Sequence, residues 1–135
     1  MMMSQYVNIK SWNGKYFSIS QYGKPVFEKN DIKQSDILIM KYEGKYVTFR
    51  TKNGKYLSAS QYGTLELDKE KVGSTERFEI EWINENSIAL KSFYGFYISV
   101  LKDGKIELNQ KILTGNEKME LIVEKVESLL EFLQF

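Results

Sequence analysis

Lysine and arginine are the side chains with which this sequence could act on another molecule, because the commonest catalytic and metal-binding residues are missing. The 135 residues include no cysteine and no histidine, but 19 Lys and Arg. The chain therefore has no thiolate nucleophile, no disulfide and no imidazole base or metal ligand. It also lacks a phosphate-binding loop and a dinucleotide fingerprint. We therefore expect no enzyme, no metal site and no cofactor, and the sequence favours a binding module.

Positive charge is concentrated in the first part of the chain. Residues 1–60 hold ten Lys and Arg against four Asp and Glu, a net charge of +6, whereas residues 61–135 carry a net charge of −5. Such an asymmetry can attract an acidic protein surface or an anionic lipid headgroup. The overall charge of +1 is below what is typical of nucleic-acid-binding domains, so no nucleic-acid partner is expected.

Basic residues recur at predicted turns and strand ends, where they could form one basic rim. Trp12 and Phe93 lie separately in predicted turns. Aromatic side chains at turn tips suit a contact surface. The alternative is that lysines at strand ends only keep the edges soluble. The predicted partner-binding residues are Lys10, Trp12, Lys15, Lys24, Arg50, Lys52, Lys55, Lys91 and Phe93.

A threefold internal repeat organises the sequence. The block NGKYFS at 13–18 recurs as NGKYLS at 53–58 and, more weakly, as YGFYIS at 94–99, at offsets of 40 and 41 residues. Repeats of this length indicate one supersecondary unit that must stack with its copies to bury an apolar face. We therefore expect one domain over residues 1–135. Its three repeats span about 5–44, 45–85 and 86–126, followed by a tail at 127–135.

Apolar residues within each repeat alternate with a period of two, which predicts strands rather than helices. Four strands per repeat give twelve, and three copies of about 40 residues predict an all-β β-trefoil. The predicted core residues are Ile9, Phe17, Leu38, Phe49, Leu57, Phe78, Leu90, Ile98 and Met119. Asn8, Ser18, Ser58 and Ser99 lie between core positions and are predicted to face away from them.

Tyr16, Tyr56 and Tyr97 recur beside core positions in all three repeats. A tyrosine packs well on a pleated surface while its hydroxyl stays in water. A structural role is therefore favoured over a role as a sugar-binding platform.

The block GKYLSA at 54–59, followed by a glycine-centred hairpin, resembles the fascin and hisactophilin group of β-trefoil proteins. The resemblance covers about residues 5–123 and implies a cytoplasmic protein whose first candidate partner is the actin filament. The histidines to which hisactophilin owes its pH dependence are absent, so that switch is not expected here. The alternative is a carbohydrate-binding β-trefoil lectin, although the Gln-x-Trp triplet of ricin-type lectins does not occur.

The last nine residues depart from the repeat. Their apolar spacing predicts a short helix, and a helix of this length must dock on something to be stable. It could dock on its own barrel or on a second copy of the chain, and we expect a homodimer. The predicted contact residues are Leu129, Leu130, Phe132, Leu133 and Phe135.

Overall fold

The computed structural model describes residues 4–124. Within that range the chain forms twelve strands and two short 3-10 turns, Ile32–Gln34 and Ser74–Glu76. The predicted all-β class and the number of strands are confirmed, whereas the helix predicted for 127–135 lies outside the described residues. The strands are β1 (Ser4–Ser11), β2 (Tyr16–Ile19), β3 (Pro25–Lys29), β4 (Leu38–Glu43), β5 (Tyr46–Arg50), β6 (Tyr56–Ala59), β7 (Leu65–Lys69), β8 (Phe78–Trp82), β9 (Ser87–Lys91), β10 (Tyr97–Val100), β11 (Ile106–Gln110) and β12 (Met119–Val123).

Six strands close into an antiparallel barrel. They follow one another around it in the order β1, β4, β5, β8, β9 and β12, and β12 pairs again with β1. The other six form the hairpins β2–β3, β6–β7 and β10–β11, one in each repeat. Within residues 4–124, closure gives each of the six barrel strands a neighbour on both sides. This arrangement fits the β-trefoil that the repeat predicts.

The barrel interior is filled by the residues that alternate along the strands. All nine predicted core side chains are at most 2% exposed. Phe17 packs edge-to-face on Phe27 from the neighbouring strand, with ring centroids 5.7 Å apart. The predicted core is confirmed, because a period of two in a closed barrel leaves one possible inward face.

The polar residues between the core positions are not on the surface. Ser18, Ser58 and Ser99 are 0%, 3% and 3% exposed, and Asn8 is 2% exposed. They face away from the apolar interior, as predicted, but the segments that precede the last strand of each repeat cover them. The alternation of apolar and polar residues does not predict this second, polar layer.

Two glutamates at repeat-related positions bind these serines. Ser58 donates to Glu76 at 2.6 Å, and Ser99 donates to Glu117 at 2.7 Å. Burial alone would raise the pKa of the Glu117 carboxyl, but hydrogen bonds from the Thr114 backbone N–H and from Ser99 outweigh burial and lower that pKa. The same balance lowers the pKa of Glu76. Both carboxylates therefore hold the covering segments on the barrel in their charged form.

The first repeat makes this contact differently. Asp36 replaces the glutamate and accepts a hydrogen bond from the Ile19 backbone N–H at 2.7 Å. Its side chain is one methylene shorter, and the Ser18 hydroxyl has no hydrogen-bond partner among the described residues.

The three hairpins contact one another through backbone hydrogen bonds. Phe27 N–H donates to the Gly104 carbonyl, and Leu108 N–H donates to the Gly63 carbonyl, both at 3.0 Å. Between the first two repeats, Lys24 and Glu66 form an ion pair at 2.5 Å. These contacts fix the positions of the hairpins relative to the barrel.

Candidate binding surface

Three equivalent basic residues lie at or next to the end of the first barrel strand of their repeats, and each pairs across the sheet with one of the repeated tyrosines: Lys10, Arg50 and Lys91. The Lys10 ammonium lies 5.5 Å from the centre of the Tyr16 ring, and the Lys91 ammonium lies 5.7 Å from the centre of the Tyr97 ring. A cation over an aromatic face is held in place by the ring's quadrupole. Tyr16 and Tyr97 therefore position the Lys10 and Lys91 side chains.

Tyr97 is the most constrained of these tyrosines. Its ring is 6% exposed and its hydroxyl donates to Glu81. That hydrogen bond, together with burial, raises the pKa of Tyr97 to about 12. This environment agrees with the structural role predicted for the repeated tyrosines.

Three surface grooves run along the barrel at repeat-related places, and each is lined by one of these basic residues. Lys10 lines a groove of about 540 Å³, Lys91 one of about 460 Å³ and Arg50 one of about 370 Å³. The grooves share no lining residue. Three members of the predicted basic rim thus line three different grooves.

The groove lined by Lys10 is called the Trp12 groove, because Trp12 also lines it. Its other lining residues include Asn84, Lys118 and Glu120. The Trp12 ring is 44% exposed, and its indole N–H donates to the Val100 carbonyl at 2.7 Å. This hydrogen bond to the third repeat fixes the ring orientation and leaves one part of the indole in solvent.

The groove lined by Lys91 is called the Phe93 groove, because Phe93 also lines it. Its other lining residues include Tyr46, Arg77 and Glu79. Phe93 is 60% exposed and packs edge-to-face on Tyr94, with ring centroids 5.2 Å apart. The structure thus brings Lys10 and Trp12 into one groove and Lys91 and Phe93 into another.

The Arg50 groove is formed by β4, β5 and the following turn, with Lys41, Tyr56 and Glu70 among its lining residues. Lys52, at the position equivalent to Trp12 and Phe93, is exposed in that turn. Like the other two grooves, the Arg50 groove is lined by two basic residues and one glutamate, but it has no exposed tryptophan or phenylalanine at this position.

The remaining predicted basic residues lie in turns and make local polar contacts. Lys15 donates to the side chain of Asn30, and Lys55 forms an ion pair with Glu70 at 2.7 Å. Lys24 pairs with Glu66, and this hydrogen bond raises the pKa of Lys24 and lowers that of Glu66. These exposed pairs contribute little to stability, but the acidic partners weaken the positive field beside Lys24 and Lys55.

Sequence reasoning missed the acidic and basic residues that neighbouring repeats contribute to the grooves. Glu120 of β12 lies opposite Lys10, and Glu79 of β8 lies opposite Lys91 in the strand register. Arg77 and Lys118 were also overlooked. The repeat offset relates Glu79 to Glu120, but their place beside the lysines follows only from the order of strands around the barrel.

In the part of the chain that the structure describes, no helix is long and apolar enough to cross a membrane. No group of three or more Asp and Glu within residues 4–124 is arranged to hold a metal ion. The grooves thus present basic, acidic and aromatic side chains on a rigid barrel.

The closed six-strand barrel with one hairpin in each repeat fits a β-trefoil. A family model described as Fascin domain matches residues 2–80, which is more than half of the chain. The chain therefore belongs to the fascin family. None of the curated proteins matches it significantly.

Proposed function

We propose that this protein is a non-catalytic binding module for an acidic protein surface, with the actin filament as the first candidate. Its membership of the fascin family carries the proposal. The net charge of +6 over residues 1–60 and the lysines in the β1–β2 and β5–β6 turns support it. An actin partner implies a cytoplasmic location. An anionic lipid surface would be attracted by the same charges.

Charge attraction would bring the two surfaces together, and close contacts would hold them. Complementary potentials raise the rate of encounter and exclude like-charged partners. Lys15 and Lys55 flank the two turns, and Lys52 is exposed at the tip of the second. Their long side chains can leave the local partners that they have in the free protein at little cost.

Reversal of charge at Lys15, Lys52 and Lys55 tests this proposal. We expect the triple variant to Glu to lose co-sedimentation with actin filaments at low salt. The matched control reverses Lys71, Lys102 and Lys105, which are exposed in residues 61–135, and so makes the same change in net charge. Equal losses in both variants would mean that net charge alone, rather than these turns, governs binding.

Filament bundling would require a second contact. We propose that it comes from a homodimer through the C-terminal tail, whose predicted contact residues lie outside the described part of the chain. Once one copy of the dimer is bound to a filament, the second copy is held near the neighbouring filament at a high effective concentration, so the dimer binds more tightly than a single copy.

A further inference from the structure

The Trp12 groove and the Phe93 groove are built from the same residue types at repeat-related positions. Lys10-Ser11-Trp12-x-Gly14 in the first repeat corresponds to Lys91-Ser92-Phe93-x-Gly95 in the third. In both grooves a glutamate on the adjacent barrel strand lies opposite the lysine, Glu120 in the first and Glu79 in the second. An ammonium, a carboxylate and an exposed aromatic ring thus occur together twice.

The second repeat lacks two of these three groups at the corresponding positions, and the Glu70 carboxylate that does line its groove is ion-paired with Lys55. At the corresponding place Lys52 replaces the aromatic residue, and Ile39 lies opposite Arg50 instead of a glutamate. The barrel closes equally well in this repeat, so its fold does not require the aromatic ring or the carboxylate. Their joint presence in the other two grooves therefore needs another explanation.

The lysine and the glutamate that lie opposite one another in each groove are not in direct contact as an ion pair. Within residues 4–124 no ion pair joins Lys10 to Glu120 or Lys91 to Glu79; Glu79 instead approaches Lys45, at 3.6 Å. The two lysine ammonium groups lie over tyrosine rings. Each groove therefore offers a hydrogen-bond donor and an acceptor beside an apolar surface.

We propose that these two grooves bind a neutral carbohydrate. A sugar hydroxyl both donates and accepts, so neighbouring hydroxyls can satisfy a carboxylate and an ammonium together. The C–H face of a pyranose ring is apolar and can cover an exposed indole or phenyl ring. The glutamate of each groove opposes an anionic ligand, and the two basic residues beside it, Lys10 and Lys118 or Lys91 and Arg77, oppose a cationic one. A neutral ligand with many hydroxyls meets neither repulsion.

The aromatic rings are oriented before any ligand arrives. The hydrogen bond of Trp12 to Val100 and the contact of Phe93 with Tyr94 limit their rotation. Ring order in the free protein reduces the entropy lost on binding. Beside Phe93, the buried Ser92 hydroxyl has no partner among the described residues, a condition that a bound water or ligand hydroxyl would relieve.

The test begins with an array of neutral oligosaccharides, followed by NMR titration of the full chain with the strongest binder. We expect shifts in the backbone amides of residues 10–14 and 91–95 and in the Trp12 indole N–H, and none in 50–54. Trp12→Lys and Phe93→Lys install the residue type that the second repeat carries at this position. Each should weaken binding at its own groove by about tenfold or more and leave the other groove unchanged.

Lys52→Ala is the matched control and should leave sugar binding unchanged, and thermal unfolding should show that all variants fold. No binding on the array would overturn the proposal, as would shifts confined to residues 50–54. Binding only of sulfated glycans, lost in the Lys15, Lys52 and Lys55 reversal, would also overturn it by showing charge attraction instead. Actin co-sedimentation is a separate measurement, so the two proposals can fail independently.

Discussion

Individual buried carboxylates determine how the repeats are held on the barrel. Ser99 donates to Glu117, which is fully buried, whereas the equivalent Ser18 has no partner among the described residues. Loss of a donor to a buried charge costs more than loss of an unpaired hydroxyl. We therefore expect Ser99→Ala to lower the free energy of unfolding by about 1–3 kcal/mol. Ser18→Ala should leave it unchanged or raise it, as measured by urea unfolding.

The pH dependence of this effect has a definite sign. The folded pKa of Glu117 is lowered, so its contribution to stability is present above the unfolded pKa and is lost as the pH falls through the folded value. The difference between Ser99→Ala and the unmodified chain should therefore shrink in acid. A difference that grew on acidification, or an equal loss in Ser18→Ala, would contradict the role given to the Ser99–Glu117 hydrogen bond.

The sequence indicates these carboxylates only through their recurrence in each repeat. Asp36, Glu76 and Glu117 recur at the same offsets as the core residues. An acidic residue at the same place in three repeats is consistent with solvent exposure as well as with burial. The burial of Glu76 and Glu117 follows from the covering segments, which lie over Ser58 and Ser99 in the folded chain.

The elements follow from the sequence more directly than the sites do. A period of two and turn glycines at constant offsets predict twelve strands and their inward faces. The grooves could not be predicted in the same way, because each combines a turn of one repeat with a strand of the repeat before it in the barrel. Glu120, for example, is 110 residues from Lys10 in sequence and directly opposite it in the sheet.

The contact between hairpins is tested at Gly104. Its φ is +91°, and an added Cβ would lie 2.2 Å from the Phe27 carbonyl oxygen, so the backbone would have to move. Gly14 has a similar φ of +84° with open space around it and serves as the control. We expect Gly104→Ala to destabilise the fold by about 1–3 kcal/mol more than Gly14→Ala. Equal effects in thermal unfolding would mean that backbone strain alone, without a hairpin contact, explains the glycine.

The tail is the one predicted element that the described residues do not include. Five large apolar side chains in nine residues are unfavourable in water, and burial of each would contribute about 1.5–3 kcal/mol. We expect truncation after Glu127 to convert a dimer into a monomer in light scattering. If the full chain and the truncated chain are monomers of equal stability, the tail is neither an interface nor a brace.

At the scale of the whole molecule, the uneven charge and the family membership together lead to the proposed partner. The sequence predicts the asymmetry of charge directly, since charge counts need no structure. The structure adds that several of the lysines have acidic neighbours, which makes their field shorter in range than the count of +6 implies. Binding to an acidic surface therefore depends on the exposed charges that remain, and it should weaken as ionic strength rises because salt screens them.

The most direct test of the central claim is co-sedimentation of the unmodified chain with actin filaments across a range of salt concentrations. Exposed charges are screened over about 8–10 Å near physiological ionic strength. We predict binding at low salt that weakens steadily as salt is added and that is absent in the Lys15, Lys52 and Lys55 reversal. Failure to sediment with filaments even at low salt would contradict the account and remove actin as the partner.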